Sequence, residues 1–300
     1  ILLALALLSP RLTYAALYPP GPGHALLFTG TNYVFASPTG SVSGTYTVEA
    51  WVNPTDPTNY LVAVSFRAPG EYSFDLQLSA AQGLHGDIGD GATFWLTTAA
   101  DARFSCPTGQ WMHVAYVVTP TTYTIYTNAV QATNGTFGPG GVPLLYNASH
   151  NITVGTWLPD TASFKGQIDE VRVWNTARTQ PQLQSSFTNR LTGTEPGLMA
   201  YYRLDEPPMR GTTIQSRDSS AHGFHAMPVN RPIRVRTGPQ TVAINGPNPY
   251  TNECHVPFND PGAGAPPLAV LATGTFNVAL KADRTAVGWG DNGASQTPPP

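Results

Sequence analysis

The clearest alternation in the chain runs from Tyr46 to Asn53. Tyr46, Val48, Ala50 and Val52 fall on one side and Thr47, Glu49, Trp51 and Asn53 on the other. A period of two is that of a β-strand, and Asn53-Pro54 ends it. Phe164–Thr179 (FKGQIDEVRVWNTART) reads the same way, with Ile168, Glu170, Arg172 and Trp174 on one face and Asp169, Val171 and Val173 on the other. Apolar residues on both faces predict a strand with little free surface, central in a sheet. Gly109–Val118 has the same doubly buried character. Shorter strands are predicted in His24–Phe35 around a Gly turn, in Tyr60–Phe66 and Tyr72–Leu78 either side of Ala68-Pro69-Gly70, in Leu84–Leu96 around a Gly/Asp turn, in Tyr123–Tyr126 and in Ile152–Gly155. After Thr179 the period changes. Leu183, Phe187 and Leu191 recur every four residues, Thr179 and Gln182 are spaced as a capping box, Pro181 fits a first turn and Gly193 a stop. These features predict one short helix laid on the sheets.

Composition agrees with an all-β chain: of 300 residues 41% are hydrophobic and only 11% charged, with 29 Gly and 29 Pro. This suits short strands joined by turns, at a length of about two domains. A net charge of −3 gives no footprint for nucleic acid. Arg231, Arg234 and Arg236 form the one basic cluster, and their Pro-rich surroundings read as a solvated linker. The opening ILLALALLSP is too short for a membrane span and is followed by the small-residue stretch Thr13–Ala16. Residues 1–16 are therefore read as a signal-peptide remnant and the protein as secreted or displayed at the cell surface, the alternative being a buried element of the fold. Cys106 and Cys254 are the only cysteines; a disulfide is permitted but not implied, and no zinc pattern exists.

The strand Gly166–Arg178 (GQIDEVRVWNTAR) resembles the closing strand of laminin-G-like domains, the pentraxin-related, concanavalin A-type β-sandwiches. The resemblance continues in ALLFTGTNYV (Ala25–Val34), TVEAWV (Thr47–Val52), GQWMHVA (Gly109–Ala115), GLMAYYRLDE (Gly197–Glu206) and DSSAHG (Asp218–Gly223). The last two are similar to motifs of such domains in exported bacterial proteins. Asn128-Ala129 stands where the family's hairpin has Asp-Gly, which leaves the turn type open. The resemblance implies a concanavalin A-like jelly-roll sandwich over 24–229. A Pro/Gly-rich linker is expected at 230–267. The stretch Phe276–Gln296 is similar to one blade motif of regulator-of-chromosome-condensation-type β-propellers, so 268–300 is expected to begin a truncated first propeller repeat.

Asp169-Glu170 is the one acid pair that invites a catalytic reading. Adjacent strand residues point to opposite faces, so the pair is not expected to flank a glycosidic bond, and no enzyme is read here. The resemblance implies calcium at a sheet rim instead, and Asp169, Asn32 and Asp160 are the candidate ligands; the alternative for Asp169 is a carboxylate bonded to loop backbone. Asp87 and Asp90 belong to a turn that needs them for its backbone alone. His113 is expected to be a satisfied core residue, and His222 and His225 not to bind metal. Trp157, in the loop Gly155–Ser163, is the leading candidate to stack on a sugar, with Tyr60 and Trp95 behind it. Asn134, Asn147 and Asn151 each begin an N-glycosylation sequon. The expected function is an extracellular, non-catalytic module binding a glycan or surface glycoprotein. The alternatives are an adhesive spacer or the accessory module of an enzyme.

Overall fold

The computed structural model describes residues 17–20, 24–37, 44–56, 61–68, 71–79, 83–88, 107–136, 151–157, 163–206 and 215–237, with the backbone of 269–273, 276–280 and 286–290. The chain divides into two compact units, 1–237 and 238–300. The first is a sandwich of two antiparallel sheets. The larger sheet contains β1 (His24–Thr29), β3 (Tyr46–Pro54), β7 (Met112–Val118), β8 (Thr122–Thr127), β9 (Val130–Thr136), β11 (Lys165–Trp174) and β14 (Ile233–Arg236), in the order β14-β1-β11-β3-β7-β8-β9. β12 (Leu198–Tyr202) joins it by pairing with β11. The smaller sheet runs β13-β2-β10-β4-β5-β6. These strands are β2 (Tyr33–Ala36), β4 (Leu61–Ala68), β5 (Glu71–Ser79), β6 (Gly83–Ile88), β10 (Ile152–Val154) and β13 (Met227–Val229). In the second unit β15 (Ala269–Thr273), β16 (Phe276–Leu280) and β17 (Ala286–Gly290) form a three-stranded antiparallel sheet.

The alternating residues of β3 and β7 meet between the sheets. Tyr46, Val48, Ala50 and Val52 pack with Met112, Val114, Tyr116 and Val118 against Val64, Phe66, Phe74 and Leu76 of the smaller sheet. Every residue of β3 and β7 is buried, so the outer face of the larger sheet is covered as well. The cover is α1 (Gln180–Ser186) and the chain that follows it. Thr179 and Gln182 form the capping box and Pro181 lies in the first turn, as the sequence predicts. The helix stops at Ser186, well before Gly193; Phe187, the C-cap residue, stacks its ring on Trp51 at 6.0 Å and 9°. The Trp51 indole N–H donates to Phe187 O at 2.9 Å. Seven residues cannot hold a helix in water, so tertiary contact sustains it. Leu183 is fully buried against Ala115, Val117, Tyr126 and Ala129, and its burial contributes about 2 kcal/mol.

Two local features depart from the sequence reading and a third, the β8–β9 turn, resolves what it left open. β11 carries a bulge: Asp169 lies opposite Trp51 and Arg172 opposite Glu49, so one extra residue is accommodated between them, with Glu170 at φ 50°. The strict alternation therefore breaks. Ile168, Val171 and Val173 share the inner core, while Asp169, opposite the outward Trp51, leaves it. The β8–β9 hairpin keeps positive φ at both Asn128 (50°) and Ala129 (57°), the type I′ signature, and buries the Ala129 methyl under Leu183. Finally, Ile233–Arg236 is a strand rather than solvated chain. It pairs with β1 from His24↔Arg236 to Leu27↔Ile233 and fills a ladder that would otherwise stand open. Arg234, read as a solvated linker residue, has a side chain only 5% exposed; it donates to Leu204 O at 2.8 Å and pairs with Glu206 at 2.7 Å. Asn230 and Arg231, both at positive φ, make the turn from β13 into β14.

Thr179→Ala removes the side-chain acceptor for Gln182 N and is expected to lower unfolding free energy by about 1 kcal/mol in urea, with Thr179→Ser restoring most of it. An unchanged midpoint would mean the cap does not contribute.

Candidate functional site

The outer face of the larger sheet holds the most concentrated polar chemistry of the described residues. Glu49, fully buried on β3, accepts from the Trp174 indole N–H at 2.7 Å and from His113 Nε2 at 2.9 Å, with an Arg172 nitrogen at 3.8 Å. Arg172 bonds Glu170 Oε2 at 2.7 Å and donates to Ser186 O at 3.1 Å and Asn189 O at 2.8 Å, in the chain ending α1. The Tyr201 hydroxyl of β12 donates to the same Glu170 oxygen at 2.5 Å. Arg178 stacks its guanidinium 3.9 Å over the Trp174 ring. Burial alone would raise the Glu49 carboxyl, but the His113 hydrogen bond and the Arg172 charge outweigh it and hold it at about 2. Burial lowers His113, against the pull of Glu49; Nε2 bonds the Glu49 carboxylate while the buried Nδ1 has no partner, so the expectation of a satisfied core histidine holds for one ring nitrogen only. Burial and then the Glu170 charge push Asp169 well above the usual carboxylate range. Burial also raises Glu170, with Arg172 and Tyr201 opposing.

The bulge thus corrects the premise about Asp169 and Glu170, since they do not simply take opposite faces. What keeps them from acting on a substrate is enclosure. Both are 1% exposed; Glu170 is held by Arg172 and Tyr201, and Asp169 accepts from the Glu170 amide at 2.9 Å.

Two of the calcium candidates, Asn32 and Asp169, stand apart. Asn32 is buried in the β1–β2 turn, where it accepts from Thr29 N at 2.9 Å. Thr29 pairs with Lys165 and Leu26 with Ile168, which puts Asp169 about 13 Å or more back along the sheet from that turn. Asp160 lies outside the described residues, as do Tyr60, Trp95, Asp90, Asn147, Cys106 and Cys254. Among the described residues no group of three or more His, Cys, Asp or Glu side chains could hold a metal ion. Asn32 does share its end of the sandwich with Trp157. Gly30 N donates to Phe164 O at 3.0 Å and Phe164 N to Gly155 O at 2.7 Å, which ties the Asn32 turn to the loop that carries the half-buried Trp157.

Clefts also open elsewhere among the described residues, and two of them bear on a ligand site. The larger, about 480 Å³, is lined by Arg190, Arg203, Asp205, Glu206 and Arg217 among others. Much of its charge is spent internally: Arg190 pairs with Asp205, Glu206 with Arg234, and Arg203 donates to Leu191 O at 2.7 Å. The second, about 310 Å³, lies at the edge of the smaller sheet where β13 meets β2. Val34 and Ala36 point into the core, so Phe35 points outward, and its ladder partner Met227 lies beside it, 45% exposed. Phe224 and His225 come from the loop that follows Asp218, and Ser37, Gln215 and Gly223 complete the wall. Asp218 fixes that loop. One carboxylate oxygen accepts from Tyr201 N and Ser220 N, each at 2.8 Å, and the other from Ser220 Oγ at 2.7 Å and Phe224 N at 2.8 Å. The Tyr202 hydroxyl donates to Phe224 O at 2.7 Å. The sequence reading missed this cleft. Its available signal was an aromatic at an outward position of β2 and a second one just after the Asp-Ser-Ser turn.

Residues 28–184, more than half of the chain, match the family model described as the concanavalin A-like lectin/glucanases superfamily, and the chain belongs to that family. Pappalysin-1 of Mus musculus is 30% identical over 136 residues, which make up 42% of this chain and 8% of that protein. The chain therefore corresponds to a small part of that relative. Among solved structures, a Bacteroides ovatus protein described as a candidate carbohydrate binder aligns with a TM-score of 0.54 at 20% identity, covering 74% of this chain and 61% of that one, which places the two in one fold. Domain 4 of the extracellular arabinanase AbnA of Geobacillus stearothermophilus, solved with arabinotriose, aligns at 0.45 with 26% identity over 57% of this chain and 81% of that one.

The network gives stability a pH dependence of determinate sign. Glu49 is depressed when folded, so its contribution is present above about pH 4.5 and is lost as pH falls toward its folded value of about 2. Asp169 is raised when folded, so ionising it as pH rises through the folded value costs stability. Unfolding free energy is expected to peak at mildly acidic pH. Asp169→Asn should flatten the decline as pH rises above the ordinary carboxylate range, and Glu49→Gln should cost about 3 kcal/mol at neutral pH by leaving Arg172 undercompensated. Urea titrations across pH test both; a decline as steep in Asp169→Asn as in the wild type would sink the assignment.

Proposed function

We propose that this protein is a non-catalytic carbohydrate-binding module that acts outside the cell. The observation that carries the reading is a lectin/glucanase-family sandwich in which the buried carboxylates Glu49, Asp75, Asp169, Glu170 and Asp218 are enclosed and held by protein donors, while uncharged aromatic surface is left open. Glycoside hydrolysis requires two carboxyl groups set across a substrate cleft, and these five are at most 6% exposed. The protein from Bacteroides ovatus, described as a candidate carbohydrate binder, supports the reading from the side of the fold. No helix among the described residues is long and apolar enough to cross a membrane. Partners are glycans or extracellular glycoproteins, and calcium dependence enters as an arm of the test.

The chain, screened on a glycan array with calcium and again with EDTA, is expected to bind carbohydrate in both conditions, since Asn32 and Asp169 stand apart. Loss on chelation would reinstate a calcium site completed by other residues. A folded sample that binds no glycan in either condition would overturn the carbohydrate reading in favour of an adhesive spacer.

A further inference from the structure

We propose that the cleft between β2 and the Asp218 loop is the sugar-binding site and that its ligand is a neutral saccharide. This rests on the carbohydrate reading above and names the place and ligand class within it. The cleft has the two components a sugar needs. Phe35 and Met227 supply an apolar platform for the C–H face of a pyranose ring, beside Phe224, which packs on the core and stacks with His222 at 5.4 Å. The polar groups around it are hydroxyl, amide and imidazole, with no Asp, Glu, Lys or Arg among the described lining residues. An acidic sugar would find no cation there, whereas hydroxyl groups that both donate and accept are matched.

The polar groups are also oriented. Asp218 N donates to His225 Nδ1 at 3.1 Å, which places the ring proton on Nε2 and makes that atom a donor. Gln215 uses its amide N–H₂ against the Met227 sulfur at 3.4 Å, leaving its carbonyl oxygen as an acceptor. Ser37 donates to Asn151 Oδ1 at 2.6 Å, so its oxygen is presented as an acceptor too. Gly223, at φ +70°, has open space where a Cβ would stand, and a ring can approach the backbone there. The carboxylate of Asp218 holds Ser220 and Phe224 in place before any ligand arrives, so little ordering is left to binding. Asp218 acts here as a positioning residue; Phe35 and His225 are the contact residues.

The test measures affinity of the intact chain for neutral polymers (laminarin, xylan, galactomannan) and acidic ones (polygalacturonate, chondroitin sulfate) by affinity electrophoresis and calorimetry. Binding to at least one neutral polymer is expected, weakened ten-fold or more by Phe35→Ala and by His225→Ala. Phe35→Tyr should retain it, and Trp157→Ala should leave it unchanged, with circular dichroism and melting temperature certifying each variant's fold. Binding that survives both cleft variants, or that is lost only in Trp157→Ala, would overturn the site. Binding confined to acidic polymers would overturn the ligand class. A wild-type chain that binds no polymer and no array glycan would remove the carbohydrate reading itself, and this assignment with it.

Discussion

The sandwich depends on how it encloses one guanidinium. Arg172 sits 1% exposed on the outer face of the larger sheet, where an unpaired charge would cost several kcal/mol. It is held there by Glu170 and Glu49 on the sheet and by the carbonyls of Ser186 and Asn189 at the end of the helical segment. The arrangement works only if α1 and the chain after it lie on the sheet. A helix of seven residues has no stability of its own, and the carbonyls released at its end are what the guanidinium requires. The charge and the short helix therefore hold each other in place, and Trp51 and Phe187 close the same contact with apolar surface.

The bulge at Glu170 belongs to this device. Without the extra residue, a strand with Val171 and Val173 pointing inward would put Asp169 in the core beside them. One residue at positive φ lets Ile168, Val171 and Val173 all face the core and leaves the two carboxylates on the polar side. The residual cost falls on Asp169, which is enclosed with a like charge beside it. That places a titratable strain in a network whose His113 Nδ1, Glu170 Oε1 and Arg172 Nε are also buried without a hydrogen-bond partner.

Asp218 plays a comparable role on a smaller scale. Its two oxygens gather four donors from β12 and from its own loop, tying the Ser219–Phe224 turn to the larger sheet. The cleft proposed to take a sugar is formed where that turn meets β2 of the other sheet. Its walls come from residues near 35 and near 225, so it exists only because both sheets are closed and β13 pairs with β2.

The sequence by itself determined the layers and most of the strands, because period-two patterning in Tyr46–Asn53 and Gly109–Val118 has one way to bury its apolar face. It also determined the start of the helix, since a capping box and an early proline are local chemistry. Tertiary structure decided what pattern cannot carry. A single extra residue at Glu170 reverses the facing of everything beyond it, and only the partner strand's register reveals it. The pairing of Ile233–Arg236 with β1 depended on an open ladder more than two hundred residues earlier in the chain. His225, unremarkable as a metal ligand, became a donor on a cleft wall, and Phe35 became its platform, through contact between segments far apart in sequence. Local chemistry is written residue by residue; a binding surface made by distant segments is written only in the fold.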